Sequence, residues 1–249
     1  MFEHTLAVLA ISILLCVITK KAGMLSNSGV ASAFIIGVCI GIFGGLEWLF
    51  LLLIFLLSGF WATKHSFAIK EALGVQEGKK GERGWRNAWS TGLVPTVVAV
   101  LAYADTPWLP GSWAGVVFAT ALAAAASDTF ASEMGMLYPD PFLITSPKTK
   151  VPVGTNGGMT AMGTLWALLA ALLIGFCAFP LLGLLSGSMP VSLVWPLMAA
   201  AMGFLGCQFD SVLGSLYENK KKLGKHSVNL ISITLASILA WAAAWLVIG

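Results

Sequence analysis

The chain has 249 residues, of which 58% are hydrophobic and only 10% are charged, and its mean hydropathy is +0.88. Because soluble domains contain about 25% charged residues, this composition excludes an ordinary soluble domain and predicts an integral membrane protein. The net charge of +3 is small, and the sequence contains no basic stripe interleaved with aromatic residues, so nucleic acid is not an expected partner.

The apolar segments predict an all-α polytopic membrane protein with about eight transmembrane helices, in a single integral membrane domain over residues 1–249. These segments are continuously apolar and lack the alternation of barrel strands. The second and third are joined only by residues 44–47, so a re-entrant pair is the alternative to two spans there. The predicted spans cover about residues 5–19, 28–44, 46–63, 88–104, 112–135, 161–182, 190–216 and 228–248.

The basic residues predict the orientation of these helices. With eight spans, all 14 Lys and Arg residues fall in the loops on one side of the membrane. The positive-inside rule places those loops in the cytoplasm and both termini outside. The longer cytoplasmic loops are predicted at about residues 64–87, 136–160 and 217–227. Every candidate site residue lies toward this face, so we expect a polar site near the cytoplasmic face.

The segment from Gly81 to Gly92 leads into the fourth predicted helix and contains the first polar cluster. If this segment opens the helix, its polar residues follow i, i+3, i+4 and i+7 spacing and share one face; they are Arg83, Arg86, Asn87 and Ser90. Guanidinium groups beside an amide bind phosphate well, so Arg83, Arg86 and Asn87 are candidate substrate-binding residues. An interfacial patch that only sets the orientation is the alternative.

Two carboxylates stand at the end of the fifth predicted helix, directly after a run of apolar residues. An ionised carboxylate in hydrocarbon costs about 2.5–3.5 kcal/mol, so it usually faces a partner, an ion or a water-filled cavity. Helical spacing places Asp128 beside Ser132 and Thr129 beside Glu133. Carboxylate and hydroxyl oxygens suit Mg²⁺, so we predict Asp128 and Glu133 as metal ligands and Ser132 as a substrate-binding residue. A water-exposed helix end is the alternative.

A glycine-rich loop precedes the sixth predicted helix and contains residues suited to an anion. Glycines let backbone N–H groups converge on phosphate oxygens, and the following helix presents its positive end. The loop is not a Walker A motif, because the sequence has no Gly-x-x-x-x-Gly-Lys-Ser/Thr. An ordinary turn could have the same composition. The candidates are Lys150, Gly154, Thr155, Asn156, Gly157 and Gly158.

A third acidic residue, Asp210, lies in the seventh predicted helix between Gly206 and Gly214, at i, i+4 and i+8. Small residues around an acid allow a neighbouring helix to approach closely. The fifth and seventh helices run in the same direction, so Asp210 is predicted as a further metal ligand, with Ser211 beside it. Asn229, at the start of the last helix, is a candidate for the same cavity. The basic run at 220–225 is interpreted mainly as an orientation signal.

These segments, in this order, resemble the integral membrane family of phytyl-phosphate kinase. The resemblance covers essentially the whole chain. Plant members have a plastid-targeting extension that this sequence lacks, so a prokaryotic plasma membrane is the expected location. The stretches that carry the resemblance are Arg86-Asn87 through Gly92, Ser127 through Gly135, Val151 through Gly163, Asp210 through Gly214, and Val228-Asn229.

The resemblance implies phosphoryl transfer from a nucleoside triphosphate, with CTP favoured, to an isoprenyl monophosphate in the membrane. A lipid phosphate is already an anionic nucleophile, so the reaction needs alignment, metal ions and cationic donors rather than a dedicated base. We assign Mg²⁺ to Asp128, Glu133 and Asp210, and the nucleotide phosphates to the 154–158 loop with Lys150. The acceptor phosphate is assigned to Arg83, Arg86 and Asn87.

Two other functions remain open from the sequence. A lipid cytidylyltransferase would use the same metal and CTP but release pyrophosphate. A non-enzymatic carrier or flippase of phosphorylated lipids would make no product. The polar candidates gather on one side of the membrane, whereas a carrier needs polar features on both sides of its path, so the enzyme is favoured.

Overall fold

The computed structural model describes residues 2–76, 78 and 81–248, and helices dominate it. Lys79 and Lys80 of the predicted loop 64–87 lie outside the described residues. A short helix, α4 (Phe67–Ala72), lies between the third and fourth long helices. The long helices are α1 (Phe2–Lys21), α2 (Asn27–Phe43), α3 (Leu46–Lys64), α5 (Trp85–Tyr103), α6 (Gly111–Gly135), α7 (Ala161–Ala178), α8 (Val194–Leu213) and α9 (Lys225–Ile248).

The lengths and composition of these helices confirm an α-helical membrane protein. Within the described residues, six helices are long and apolar enough to cross a bilayer: α1, α3, α6, α9, and α7 and α8 with their extensions. The shorter α2 and the less apolar α5 complete the set of about eight that the sequence predicts. The extensions are π-helical, at Phe179–Leu185 after α7 and Gly214–Glu218 after α8.

Side-chain hydroxyl groups cap the N-termini of two helices, α2 and α7. The Ser26 hydroxyl accepts a hydrogen bond from the Gly29 N–H at 3.2 Å before α2. The Thr160 hydroxyl accepts one from the Gly163 N–H at 3.0 Å before α7. Each cap satisfies a backbone donor that has no partner inside its helix. The first turn of α7 is therefore well defined directly after the glycine-rich loop.

Helix α6 occupies the centre of the bundle and packs against α3, α5, α7, α8 and α9. Its alanine-rich stretch is buried from Trp113 to Ser127. Small residues on α8 face it, because a Cβ added at Gly206 would lie 2.8 Å from the Ala124 Cβ. In a bilayer, helices associate through such close van der Waals packing. The close helix approach predicted around Gly206 is therefore present.

Contacts between loops show that the basic segments meet at one end of the bundle, which we call the basic end. Leu25 forms a bridge with Arg83, and the Asn219 side chain donates to the Asn156 carbonyl oxygen at 2.9 Å. Val75 joins these two pairs of segments, because a Cβ at Gly154 would lie 2.7 Å from its Cγ1. At the opposite end, the Trp48 indole donates to Ser188, and the Trp113 and Trp245 rings lie 5.6 Å apart. The described lysines and arginines thus share the end predicted to be cytoplasmic.

This arrangement gives a direct test of orientation. In a variant with the four native cysteines replaced, we expect a cysteine introduced by Trp108→Cys to react with a membrane-impermeant maleimide added outside intact cells. A cysteine introduced by Lys222→Cys should react only after permeabilisation, because the positive-inside rule predicts that the basic end faces the cytoplasm. Both positions are exposed, Trp108 to 72%. Labelling of position 222 but not 108 in intact cells would reverse the orientation.

The segment between α6 and α7 contains a small sheet that was not predicted from the sequence. Its strands are β1 (Phe142–Leu143), β2 (Ser146–Lys150) and β3 (Gly158–Met159), in the antiparallel order β2-β1-β3. The Ile144 N–H also donates to the Gly157 carbonyl oxygen at 2.9 Å. The sheet therefore folds the glycine-rich loop back onto the bundle.

Candidate functional site

A polar cavity of about 320 Å³ opens at the basic end, among α6, α7, α8, α9 and the glycine-rich loop. It collects predicted site residues from four separate segments of the chain. The acidic helix ends contribute their carboxylates and hydroxyls, and the loop contributes its backbone. The predicted residues that line this polar cavity are Asp128, Ser132, Gly154, Thr155, Asn156, Gly157, Gly158, Asp210, Ser211 and Asn229.

The carboxyl groups of Asp128 and Asp210 interact directly inside the polar cavity. The Ser232 hydroxyl donates to Asp210 Oδ2 at 3.0 Å, and the Asn229 amide, oriented to satisfy its neighbours, donates to the same oxygen at 3.2 Å. These donors orient the Asp210 carboxyl group. Two neighbouring carboxylates repel each other when both are ionised, and a bound cation would relieve that repulsion.

Small residues one helical turn earlier explain why the two acids meet. Helices α6 and α8 both run toward the basic end, and Gly206 packs against Ala124 four residues before Asp210 and Asp128, respectively. A larger side chain at position 206 would move α8 away from α6. The Gly206–Ala124 contact thus sets the separation of the two carboxylates.

The glycine-rich loop rests on the end of α8 through its backbone. Gly157 has a φ of +75°, and a Cβ there would lie 2.5 Å from the Ser211 carbonyl oxygen and 2.6 Å from the Ser215 Cβ. Gly154 has a φ of +85°. Only glycine combines this backbone conformation with so close an approach. The hydroxyls of Thr145, in the turn between β1 and β2, and Ser215 lie 2.7 Å apart and join the small sheet to the π-helical segment.

Two predicted residues near these segments do not line the polar cavity. Lys150 lies at the end of β2, where its Nζ is 3.3 Å from Asp140 Oδ2 and both side chains are about 70% exposed. Glu133 is buried between α6 and α3, and its carboxylate accepts from Lys70 at 2.7 Å and from Thr63 at 3.0 Å. Neither is positioned beside Asp128 and Asp210 as expected from the sequence.

The predicted face of Arg83, Arg86 and Asn87 is not formed, because Arg83 precedes α5. Its N–H donates to the Met24 carbonyl oxygen at 3.0 Å, and its own carbonyl accepts from the Ser26 N–H at 3.1 Å. Arg83 and Asn87 line a smaller, largely apolar cleft of about 80 Å³ among α1, α2, α3 and α5. Arg86 is exposed, with its guanidinium 5.4 Å from the Trp85 ring.

The polar cavity also contains residues that were not selected from the sequence. Lys225 lies at its wall, and Glu218 is close enough for their charges to interact. Spacing could have identified both. Lys225 is four residues before Asn229 on α9, and Glu218 is seven residues after Ser211. Lys225 was not distinguished in the sequence because it belongs to the basic run at 220–225, which was interpreted as a signal for the orientation of the protein in the membrane.

The donor set of the polar cavity fits a cation that arrives with a phosphorylated ligand. The part of the chain that the structure describes contains no group of three or more His, Cys, Asp or Glu side chains that could hold a metal ion. Asp128 and Asp210 still provide two carboxylates. Mg²⁺ commonly takes one or two carboxylates and completes its coordination with water and substrate phosphates.

Comparisons with known proteins cover most of the chain. The family model of Integral membrane protein DUF92 matches residues 10–237. Uncharacterized membrane protein MJ0933 of Methanocaldococcus jannaschii is 35% identical over 241 residues, 95% of this chain and 94% of that protein. Protein VTE6, chloroplastic, of Arabidopsis thaliana is 31% identical over 221 residues, 87% of this chain and 64% of that protein. No solved structure matches the chain.

Proposed function

Because this chain belongs to the DUF92 family of integral membrane proteins, we propose that it is a membrane-embedded kinase for an isoprenyl monophosphate. The family assignment confirms the resemblance identified from the motifs. The observation that carries the proposal is the meeting of Asp128, Asp210 and the 154–158 loop in one polar cavity at the basic end. Acidic groups for a metal, and a glycine-rich loop before a helix N-terminus for phosphate, are parts that suit phosphoryl transfer.

The donor in this proposal is a nucleoside triphosphate, with CTP favoured. Its phosphates lie along the 154–158 loop, with the first turn of α7 and the Lys225 ammonium nearby. Asp128 and Asp210 would hold Mg²⁺, which neutralises phosphate charge when bound. Ser132, Ser211 and Asn229 supply further polar groups around the phosphates. Lys150 has no place in this assignment, because it lies outside the polar cavity.

The acceptor phosphate must enter the same polar cavity, since transfer requires the two phosphates to be in line. One of its oxygens attacks the γ-phosphorus of the nucleotide and forms a new P–O bond. The bond from the γ-phosphorus to the β,γ-bridging oxygen breaks, and its electron pair leaves with the nucleoside diphosphate. The product is the isoprenyl diphosphate. We therefore assign the acceptor phosphate to the same polar cavity, where Lys225 and Ser132 serve both phosphates, rather than to Arg83, Arg86 and Asn87.

An assay with labelled nucleotide tests the proposal. Purified protein is incubated with Mg²⁺, a panel of prenyl monophosphates, and CTP or ATP labelled at the γ-phosphate. A kinase transfers the label to the lipid and releases nucleoside diphosphate. Release of pyrophosphate with a CMP-bearing lipid would identify a cytidylyltransferase instead. Absence of any product, together with binding of the prenyl phosphate, would favour a carrier.

The family membership also bears on the membrane in which the protein resides. The protein is a multi-pass integral membrane protein, and relatives occur in an archaeon and a cyanobacterium as well as in Arabidopsis thaliana. We propose a prokaryotic plasma membrane, with the polar cavity open to the cytoplasmic nucleotide pool. Membrane lipids surround the bundle, and the isoprenyl chain of the acceptor remains among them.

A further inference from the structure

The short helix α4 contains a lysine whose side chain points into the protein. Lys70 is fully buried. Its ammonium group donates to the Ala62 carbonyl oxygen at 2.7 Å, to the Thr63 carbonyl oxygen at 3.3 Å and to Glu133 Oε2 at 2.7 Å. All three N–H donors of the ammonium group therefore have acceptors. This side chain joins α4 to both α3 and α6.

The carboxylate of Glu133, the partner of Lys70, is also buried and hydrogen-bonded within the protein. Glu133 is only 4% exposed, and its second oxygen, Oε1, accepts from the Thr63 hydroxyl at 3.0 Å. The Arg83 guanidinium donates to the same hydroxyl at 3.3 Å. A buried ion pair is tolerated when its remaining donors and acceptors are satisfied, as they are here. Both oxygens of Glu133 thus serve a structural pair rather than the polar cavity.

The outer face of α4 carries large apolar side chains beside the exposed Glu71, whereas a helix in water has a polar outer face. Ile69 is 55% exposed and Leu73 is 52% exposed, four residues apart on one face. A helix with this pattern at the basic end suits the membrane interface, with its apolar face in the lipid. Lys70 holds the opposite face of the helix against the protein.

The turn that ends α4 connects Lys70 to Val75, which lies in the wall of the polar cavity. Gly74 has a φ of +69°, and its N–H donates to the Glu71 carbonyl oxygen at 3.0 Å. The Val75 N–H donates to the Lys70 carbonyl oxygen at 3.1 Å, which completes a Schellman motif. Val75 lines the polar cavity, and a Cβ added at Gly154 would lie 2.7 Å from its Cγ1. The hydrogen bond to the Lys70 carbonyl oxygen therefore fixes the position of Val75, which packs on the turn at Gly154.

We propose that Lys70 and Glu133 are a positioning pair for the polar cavity. Through α4 and the Gly74 turn, the pair holds an interfacial strap, residues 67–75, so that Val75 supports the glycine-rich loop. The pair touches no reacting atom. This role deepens the proposed kinase function, because the loop it supports is the one assigned to the nucleotide phosphates.

Cysteine accessibility tests this role without depending on any activity. The substitution Val75→Cys is made in a full-length protein whose four native cysteines are replaced, and the modification rate of the new thiol by a maleimide is measured. The matched control is Glu71→Cys, at a polar position of α4 that is exposed in the intact strap. In Lys70→Met/Glu133→Gln, which removes both charges together, we expect the thiol at position 75 to react about tenfold faster or more, because the strap opens locally more often. The rate at position 71 should change little.

The double variant is the decisive one, because Lys70→Met alone leaves a buried unpaired carboxylate and can fail to fold. If the double variant is folded and the thiol at position 75 reacts at the parental rate, the positioning role is wrong. A kinase assay adds a second readout. A positioning role raises the KM for nucleotide more than it lowers kcat, whereas lost turnover with unchanged reactivity at position 75 would return Glu133 to the metal site. If the parental protein has no kinase activity but the thiol at position 75 still reacts faster in the double variant, the proposed function is wrong and the positioning pair stands.

Discussion

Replacement of either carboxylate in the polar cavity, Asp128→Asn or Asp210→Asn, is expected to lower kcat for phosphoryl transfer by about a hundredfold or more. These side chains interact directly and are the carboxylates that we assign to Mg²⁺. An amide lacks the negative charge that a hard cation needs. Activity is measured with saturating nucleotide and prenyl phosphate over a range of Mg²⁺ concentrations.

The fold should survive these substitutions, because removing one of two adjacent carboxyl groups relieves their repulsion. Extraction in detergent and elution as a single species would establish this. Asp140→Asn is the matched control, since Asp140 is an exposed carboxylate that pairs with Lys150 outside the polar cavity. Near-parental turnover in Asp210→Asn at low Mg²⁺ would remove Asp210 from the metal site. An equal loss in Asp140→Asn would mean that the assay reports general damage.

The substitution Gly157→Val is expected to raise the KM for nucleotide at least about tenfold, which corresponds to one charge-assisted contact or more. The added side chain would collide with the Ser211 carbonyl oxygen and with Ser215, so the loop must lift from α8. The backbone of residues 154–158 would then lose its arrangement beside the polar cavity. Steady-state kinetics with varied nucleotide and saturating prenyl phosphate measure the effect.

Gly187→Val provides a control for backbone strain alone. Gly187 has a φ of +68°, similar to Gly157, but a Cβ there meets nothing within 4 Å, and it lies near the opposite end of the bundle. A left-handed conformation at a non-glycine residue costs about 1–2 kcal/mol, so this variant should lose some stability and keep its KM for nucleotide. If both variants shift KM equally, the contact between the loop and α8 is not what supports nucleotide binding.

The order and approximate extent of the long helices could be predicted from the sequence because both depend on local properties, although several ends differ by three or four residues. The predicted span at 46–63 corresponds to α3 (Leu46–Lys64), and the span at 112–135 corresponds to α6 (Gly111–Gly135). Continuous apolar runs bury their backbone only as helices in a bilayer, whatever surrounds them. The exclusion of charge from hydrocarbon likewise identifies Asp128 and Asp210 as unusual from their sequence neighbours alone.

The glycine-rich loop shows where local information becomes incomplete. Its composition indicates close backbone approach, and the structure has that approach at Gly157. The partner of Gly157, however, is the end of α8 as well as any ligand in the polar cavity. The small sheet β1–β3 that returns the loop to the bundle is built from strands of two to five residues, too short to leave a periodic pattern.

The sequence by itself determined the membrane class, the approximate helix count, the family and the gathering of basic residues at one end. The shared site of Asp128 and Asp210 was predicted from the common direction of their helices. Only the tertiary structure decided that Glu133 pairs with Lys70 and that Lys225, rather than Lys150, lies at the polar cavity. Hydropathy and charge depend on each residue's own transfer between water and lipid. Pairing depends on the rotation and depth of whole helices, which contacts such as Gly206 with Ala124 set across residues far apart in the chain.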